Sequence, residues 1–197
     1  MYSFFRTLPD VDKSKLKFVE SSSYSISYYY HAKWLADHIA NNYGNNIILA
    51  DVCSNVGGNT IEFALEGFTE IRSYDIDILA CDALKNNLKL YKKYIKGKVS
   101  VINEDANTQN YSDVTVFFID PPWGGKDYKE NSKMMLYLGD ISLSTFINKH
   151  CMNAPVYCKV PVNFDLEQLE KDTYRTFEVY HMKTKKDRTI YDIIYSS

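Results

Sequence analysis

Residues 47–59 read Ile47-Ile48-Leu49-Ala50-Asp51-Val52-Cys53-Ser54-Asn55-Val56-Gly57-Gly58-Asn59. The first six are apolar on both parities except for one acid, which predicts a strand covered on both faces. The run breaks at Ser54, and a glycine turn passes the chain to a helix over about residues 60–66. Asn59 is placed as its N-cap and Gly67 just past its end. The pattern recurs downstream. Strands are predicted at 71–74, 99–103, 114–119 and 156–160. Helices are predicted at about 78–94, 143–149 and 166–171. A further helix precedes the first strand, over about 32–43, with Trp34, Leu35 and Ile39 on one face and Gly44 as its stop. Alternating segments at 176–182 and 189–195, joined by the basic turn Lys183-Thr184-Lys185-Lys186-Asp187-Arg188, predict a terminal antiparallel hairpin. Alternation of this kind implies an α/β fold, a mostly parallel seven-stranded sheet with helices on both faces.

Composition sets outer bounds. The 197 residues suit one domain with a full core. Residues 1–30 mix Ser, Lys, Asp and Pro with aromatics and read as an N-terminal arm or lid, leaving 31–197 as the folded domain. The 17 tyrosines suit sites that stack planar ligands, but a base-composition bias favouring Asn, Lys, Ile and Tyr produces the same excess. A net charge of −2 argues against a wide basic face gripping long nucleic acid and leaves room for a short, locally held target. Cys53, Cys81, Cys151 and Cys158 form no C-x-x-C pair and read as reduced thiols of an intracellular protein, nuclear or cytoplasmic. The four histidines do not fall at metal-ligand spacings, so no metal is expected. Neither a membrane span nor a secretory leader is read, and a monomer is expected.

In an open parallel sheet, ligands bind beyond the carboxyl ends of the strands. An acid stands at four successive strand ends: Asp51, Asp75, Asp105 and Asp120. Singly, each reads equally well as a turn or cap residue; four together point to a ligand. The glycines at 57 and 58 are adjacent and do not fit G-x-G-x-x-G, which counts against a nicotinamide oxidoreductase. S-adenosylmethionine has no pyrophosphate to cradle; it needs a turn for its amino-acid end and an acid for its ribose.

The strongest motif is Asp120-Pro121-Pro122-Trp123-Gly124-Gly125. Two prolines after a strand end fix φ twice and remove two donors, leaving carbonyls free to accept. An aryl amine is a poor nucleophile because its lone pair is delocalised into the ring. Acceptors on both N–H bonds, from Asp120 and a proline carbonyl, can turn that lone pair towards a methyl group while Trp123 stacks on the base. The alternative is a proline turn followed by a core tryptophan.

Asp120-Pro121-Pro122-Trp123 resembles the motif of class I methyltransferases that act on exocyclic amines. With Gly124, Gly125, Asp127 and Tyr128 it is similar to that of the trimethylguanosine synthases, which methylate the cap guanine 2-amino group. Likeness extends through Ala36-Asp37-His38-Ile39-Ala40, Val56-Gly57-Gly58-Asn59, Phe63-Ala64, Tyr74-Asp75-Ile76-Asp77 and Pro161-Val162-Asn163. The resemblance implies a Rossmann-like methyltransferase fold and S-adenosylmethionine as cofactor, held by Asp51, Cys53, Asn55, Gly57, Asn59, Asp75, Ile76, Asp105 and Ala106. Asp120, Pro121 and Trp123 would be catalytic. Trp123, Gly124, Lys126, Tyr30, Lys185 and Arg188 would meet a capped RNA or cap nucleotide, the basic turn holding its phosphates. Lys129, Tyr28 and Tyr29 are similar candidates. The chain departs from the family at Asp120, where Ser is usual; Asp is commoner in adenine amino-methyltransferases. Adenine methylation of DNA or RNA, and a non-catalytic cap- or cofactor-binding module, stand as the alternatives.

Overall fold

A computed structural model describes residues 4–20, 22, 25–125, 128, 132–184 and 186–197. Helix α1 (Tyr29–Tyr43) leads into strand β1 (Ile48–Val52), helix α2 (Gly58–Glu66) and strand β2 (Glu70–Tyr74). Helix α3 (Ile78–Tyr91), strand β3 (Lys98–Ile102) and strand β4 (Val116–Ile119) follow. A two-residue hairpin, β5 (Tyr137–Leu138) and β6 (Ile141–Ser142), precedes α4 (Leu143–His150), β7 (Val156–Val160) and α5 (Leu166–Thr173). The chain closes with β8 (Glu178–Lys183) and β9 (Thr189–Ser196).

Seven strands form one sheet in the order β3-β2-β1-β4-β7-β9-β8. All pair in parallel except β9, which runs antiparallel to both β7 and β8. Chain direction across the sheet reverses between β1 and β4, so the crevice beyond their carboxyl ends is the switch point at which such sheets bind ligands. The period of two along each strand divides the core. Leu49, Val116 and Phe118 face one layer with Leu35, Ile39 and Phe63. Ala50, Phe117 and Ile119 face the other with Phe146, Ile147 and Leu169. The expected sheet, helices and terminal hairpin are all present.

Element ends differ where caps decide them. Helix α1 starts at Tyr29, inside the stretch read as the arm. Helix α2 starts at Gly58 with Gly57 as N-cap at φ 93°, so Asn59 lies within the first turn and caps nothing. At Gly57 a Cβ would sit 2.1 Å from Leu84 Cδ1, so glycine serves there for close packing as well as for φ. Helix α3 stops at Tyr91, because a tighter bond from Lys92 N–H to Lys89 O closes it. The β5–β6 hairpin was not expected; two-residue strands leave no readable alternation.

The arm is strapped down. Phe5 is buried in a third cluster with Val56, Ile61, Ala83 and Tyr91. Tyr91 Oη donates to Arg6 O at 2.6 Å. Asn87 accepts from Lys17 N at 2.8 Å and donates to Lys17 O at 2.9 Å. Arg6 pairs with buried Glu62. No described helix is long and apolar enough to cross a membrane.

Candidate active site

The loop after β1 is tight: Cys53, Asn55 and Gly57 all have positive φ. Its N–H groups are spent inside the protein. Ser54 N donates to Tyr74 O at 2.9 Å, Gly57 N to Ser54 O at 3.0 Å, Asn55 N to Asp75 Oδ2 at 2.7 Å and Val56 N to Asn55 Oδ1 at 2.7 Å. Among the described residues, Gly58, Asn59 and Thr60 N–H have no protein acceptor, so the start of α2 is the part of the turn left to meet an anionic group.

Asp51 is buried. Thr60 Oγ1 donates to its Oδ2, while Oδ1 has no hydrogen-bond partner among the described residues. Burial, with repulsion from Asp120 and Asp75 added, pushes its carboxyl up to about 7. Asp75, just past β2, accepts from Asn55 N and from Asp77 N at 2.9 Å, and burial raises it above the ordinary carboxylate range. Both Asp75 oxygens keep acceptor capacity, since each can take a second hydrogen bond. Beside it Ile76 is 76% and Leu79 65% exposed, an apolar ledge suited to a flat ring. Asp105 caps a short turn over Ala106–Thr108, with Asn107 N donating to Oδ1 at 2.9 Å.

These features fit S-adenosylmethionine. The unpartnered Asp51 oxygen suits its cationic amino-acid end, Asp75 its ribose, and Ile76 its adenine; Asp105 and Ala106 stand at the next strand end. Cys53 is half-buried at the same strand end, with burial, then Asp75 and Asp120, raising its thiol well above the ordinary range. Asn55 fixes the loop to Asp75 and to Ser25 Oγ, the latter at 2.7 Å.

Asp120 follows β4, its N–H donating to Val52 O at 3.0 Å, which places it beside the end of β1. Among the described residues, the carbonyls of Asp120, Pro121 and Pro122 accept no hydrogen bond, and neither does Trp123 Nε1 donate one. Pro121 is buried, Pro122 and Gly124 are exposed, and Trp123 is half-buried. The indole lines two cavities: one of about 360 Å³ with Phe4, Tyr28, Lys159, Arg188 and Tyr191, and a more open one of about 650 Å³ with Gly124, Met135 and Tyr137. Tyr128 stands edge-on to the indole at 5.2 Å and borders both cavities.

The structure thus brings Asp51, Asn55, Asp75 and Asp120 together at neighbouring strand ends, with Gly57 in the same loop as Asn55, and sets Trp123 in the walls of the two cavities. Arg188 reaches the cavity from the terminal hairpin. Tyr30 does not line it; it stacks on Tyr28 at 5.4 Å, and Tyr28 is the ring that faces the space. Lys126, Asp127, Lys129 and Lys185 lie outside the described residues. Sequence reading missed Lys159, the lone charge in the apolar run Val156-Tyr157-Cys158-Lys159-Val160. A lysine in a fully buried strand requires a partner, and that signal was legible. Its ammonium contacts Asp120 Oδ2 at 2.8 Å, with the lysine side chain 2% exposed. Phe4 and Ser25 carried no comparable signal.

The fold, the acids at the strand ends and the proline-held indole define a class I S-adenosylmethionine-dependent methyltransferase. Comparison narrows this. The profile of a family described as RNA cap guanine-N2 methyltransferase matches residues 46–195, and the chain belongs to that family. It is 29% identical over 133 residues to a trimethylguanosine synthase of Schizosaccharomyces pombe, covering 62% of this chain and 53% of that one. It is 27% identical over 148 residues to an uncharacterized protein of Acanthamoeba polyphaga mimivirus, covering 69% and 56%. The chain therefore spans about half the length of these curated relatives. In fold it is similar to a proposed RNA methyltransferase of Pyrococcus horikoshii, at TM-score 0.60, 18% identity and coverage of 93% and 92%. It is also similar to magnesium protoporphyrin IX methyltransferase of Synechocystis with bound cofactor, at 0.63, 11%, 85% and 77%. Among the described residues no cluster of His, Cys, Asp and Glu could hold a metal ion.

Proposed function

We propose that the chain methylates the exocyclic 2-amino group of a 7-methylguanosine cap on RNA, acting inside the cell. The observation that carries this is Trp123. Its indole is held half-buried in a cavity wall, directly after carbonyls that have no donor among the described residues and beside a half-buried acid. Bound S-adenosylmethionine supplies an electrophilic methyl group. The protein's part is positional. Trp123 holds the base in plane, with a further gain because 7-methylation makes the ring cationic. Asp120 and a proline carbonyl accept from the amine N–H groups, returning its lone pair to nitrogen. Arg188 stands at the cavity edge for the cap phosphates. No metal or further base is needed: the proton that the nitrogen sheds on taking the methyl passes to Asp120 and on to solvent, while orientation and water exclusion supply most of the acceleration.

The test is transfer of labelled methyl to 7-methylguanosine diphosphate, with guanosine diphosphate as comparison. Transfer to the methylated compound alone is expected, and absence of transfer to it rejects the reading. The Asp120 carboxylate favours one rival, methylation of an adenine amine. Methyladenosine in digests of treated oligonucleotides, with none on cap nucleotides, would establish the rival.

A further inference from the structure

Lys159 has no part in the chemistry just described, yet it is a buried cation in the wall of the base cavity. It sits in β7, opposite Ile193 of β9, with one strand of separation from the cofactor loop. Its ammonium donates to Asp120 Oδ2 at 2.8 Å and to Ser25 O. It also lies 4.9 Å from the Tyr191 ring centre and 5.4 Å from that of Trp123. Every favourable direction around the nitrogen is thus filled by an acid, a carbonyl or an aromatic face. Among the described residues no hydrogen bond reaches the other Asp120 oxygen.

We propose that Lys159 is the positioning residue for the reaction: it clamps one Asp120 oxygen so that the other is kept for the substrate amine, and it ties that geometry to the cofactor loop. This rests on the amine-methylation reading above. The tie runs through Ser25, whose carbonyl takes the Lys159 ammonium and whose hydroxyl takes Asn55 Nδ2 at 2.7 Å. Asn55 N in turn holds Asp75 Oδ2 at 2.7 Å. One chain of hydrogen bonds therefore joins the ribose acid to the amine acceptor.

The physical need is clear from the surroundings. Burial drives Asp120 towards its neutral form, and the Lys159 cation and hydrogen bond oppose that drive. Among the described residues the other titratable groups against Asp120 are Asp51 from β1, Cys53 after it, Cys158 from β7 and Tyr191 from β9. Not one of them is cationic. Without Lys159 that opposition is lost and the acid is driven further towards its neutral form, which would offer the amine a donor on one side. Removing the ammonium also frees Asp120 to turn.

The experiment compares wild type with Lys159→Met, Lys159→Arg and the double variant Asp120→Asn/Lys159→Met. The Asp120 carboxyl is followed by carbon-13 NMR, assigned by its loss in Asp120→Asn, and the pH profile of methyl transfer is recorded in parallel. In K159M the Asp120 titration is expected to move up by more than about one pH unit. The acidic limb of kcat should move with it, kcat at pH 7 should fall on the order of 100-fold, and KM should change little. K159R should restore both profiles in large part. An Asp120 titration unmoved in folded K159M overturns the proposal. If K159M does not fold, recovery of folding in the double variant supports it and failure to recover overturns it. Absence of transfer by wild type rejects the assigned reaction alone, because the NMR titration still decides whether Lys159 governs Asp120.

Discussion

Replacing Asp51 by Asn should uncouple the protein's stability from pH in a defined window. Asp51 is fully enclosed, and its carboxyl moves from an ordinary 3.8 to about 7 on folding. A carboxyl raised in the folded state is stabilising in its protonated form. Its contribution is complete below the unfolded value and is lost as pH rises through the folded one. The difference of about three pH units, at about 1.4 kcal/mol each, amounts to about 4 kcal/mol of lost stability by pH 8.5. About 2 kcal/mol of that disappears between pH 5.5 and 8.5, since part is already gone at the lower pH. Asn keeps the acceptor for Thr60 and carries no charge, so D51N should gain about 2 kcal/mol on wild type across that interval. With an unfolding slope of about 2 kcal/mol per molar urea, its midpoint rises by about 1 M relative to wild type. The assay is urea unfolding of both proteins, free of cofactor, at half-unit pH steps. Glu62, likewise raised to about 7, titrates in both proteins and cancels in the difference. Cofactor affinity supplies the complement. A cationic ligand favours ionised Asp51, so wild-type binding should weaken about tenfold per pH unit below 7, and D51N should lose that slope. A wild-type minus D51N difference that stays flat from pH 5.5 to 8.5 would refute the reasoning.

Trp123→Ala removes the stacking plane and should weaken binding of 7-methylguanosine diphosphate by about 30-fold, from stacking worth about 2 kcal/mol, while cofactor affinity in calorimetry stays within about twofold. An equal loss for both ligands would contradict the assigned role. Arg188→Ala should cost about tenfold for the diphosphate and nothing for the nucleoside, a contrast read by fluorescence titration of the two ligands. Asn87→Ala breaks the pair of bonds that holds Lys17 and strands a bond to Val56 O. It should destabilise by about 2–4 kcal/mol in urea unfolding and raise amide exchange at Lys17 before exchange in the sheet. Protection at Lys17 unchanged from wild type would show that the strap does not depend on Asn87.

What the sequence alone determined was local. The strand at 48–52, its glycine turn and the recurring alternation specified a parallel sheet, because each strand's burial on both faces is written in its own residues. Strand ends carrying Asp51, Asp75 and Asp120, and the prolines before Trp123, were legible for the same reason: each is a neighbour of the element that places it. Caps were less legible, since a left-handed Gly57 displaced Asn59 as the start of α2 through contact with Leu84, a residue of another helix. The sheet order was not local either. Nothing within 189–196 states that β9 inserts between β7 and β8; that follows from which apolar faces find cover when the whole chain collapses. Only the tertiary structure brought Lys159 to Asp120 across 39 residues and Ser25 to Lys159 across 134. It also drew Phe4 and Tyr28 from the arm into the cavity wall. A buried lysine announces that it needs an anion, but periodicity carries no information about which distant acid will supply it; that choice belongs to the packing of β4 against β7.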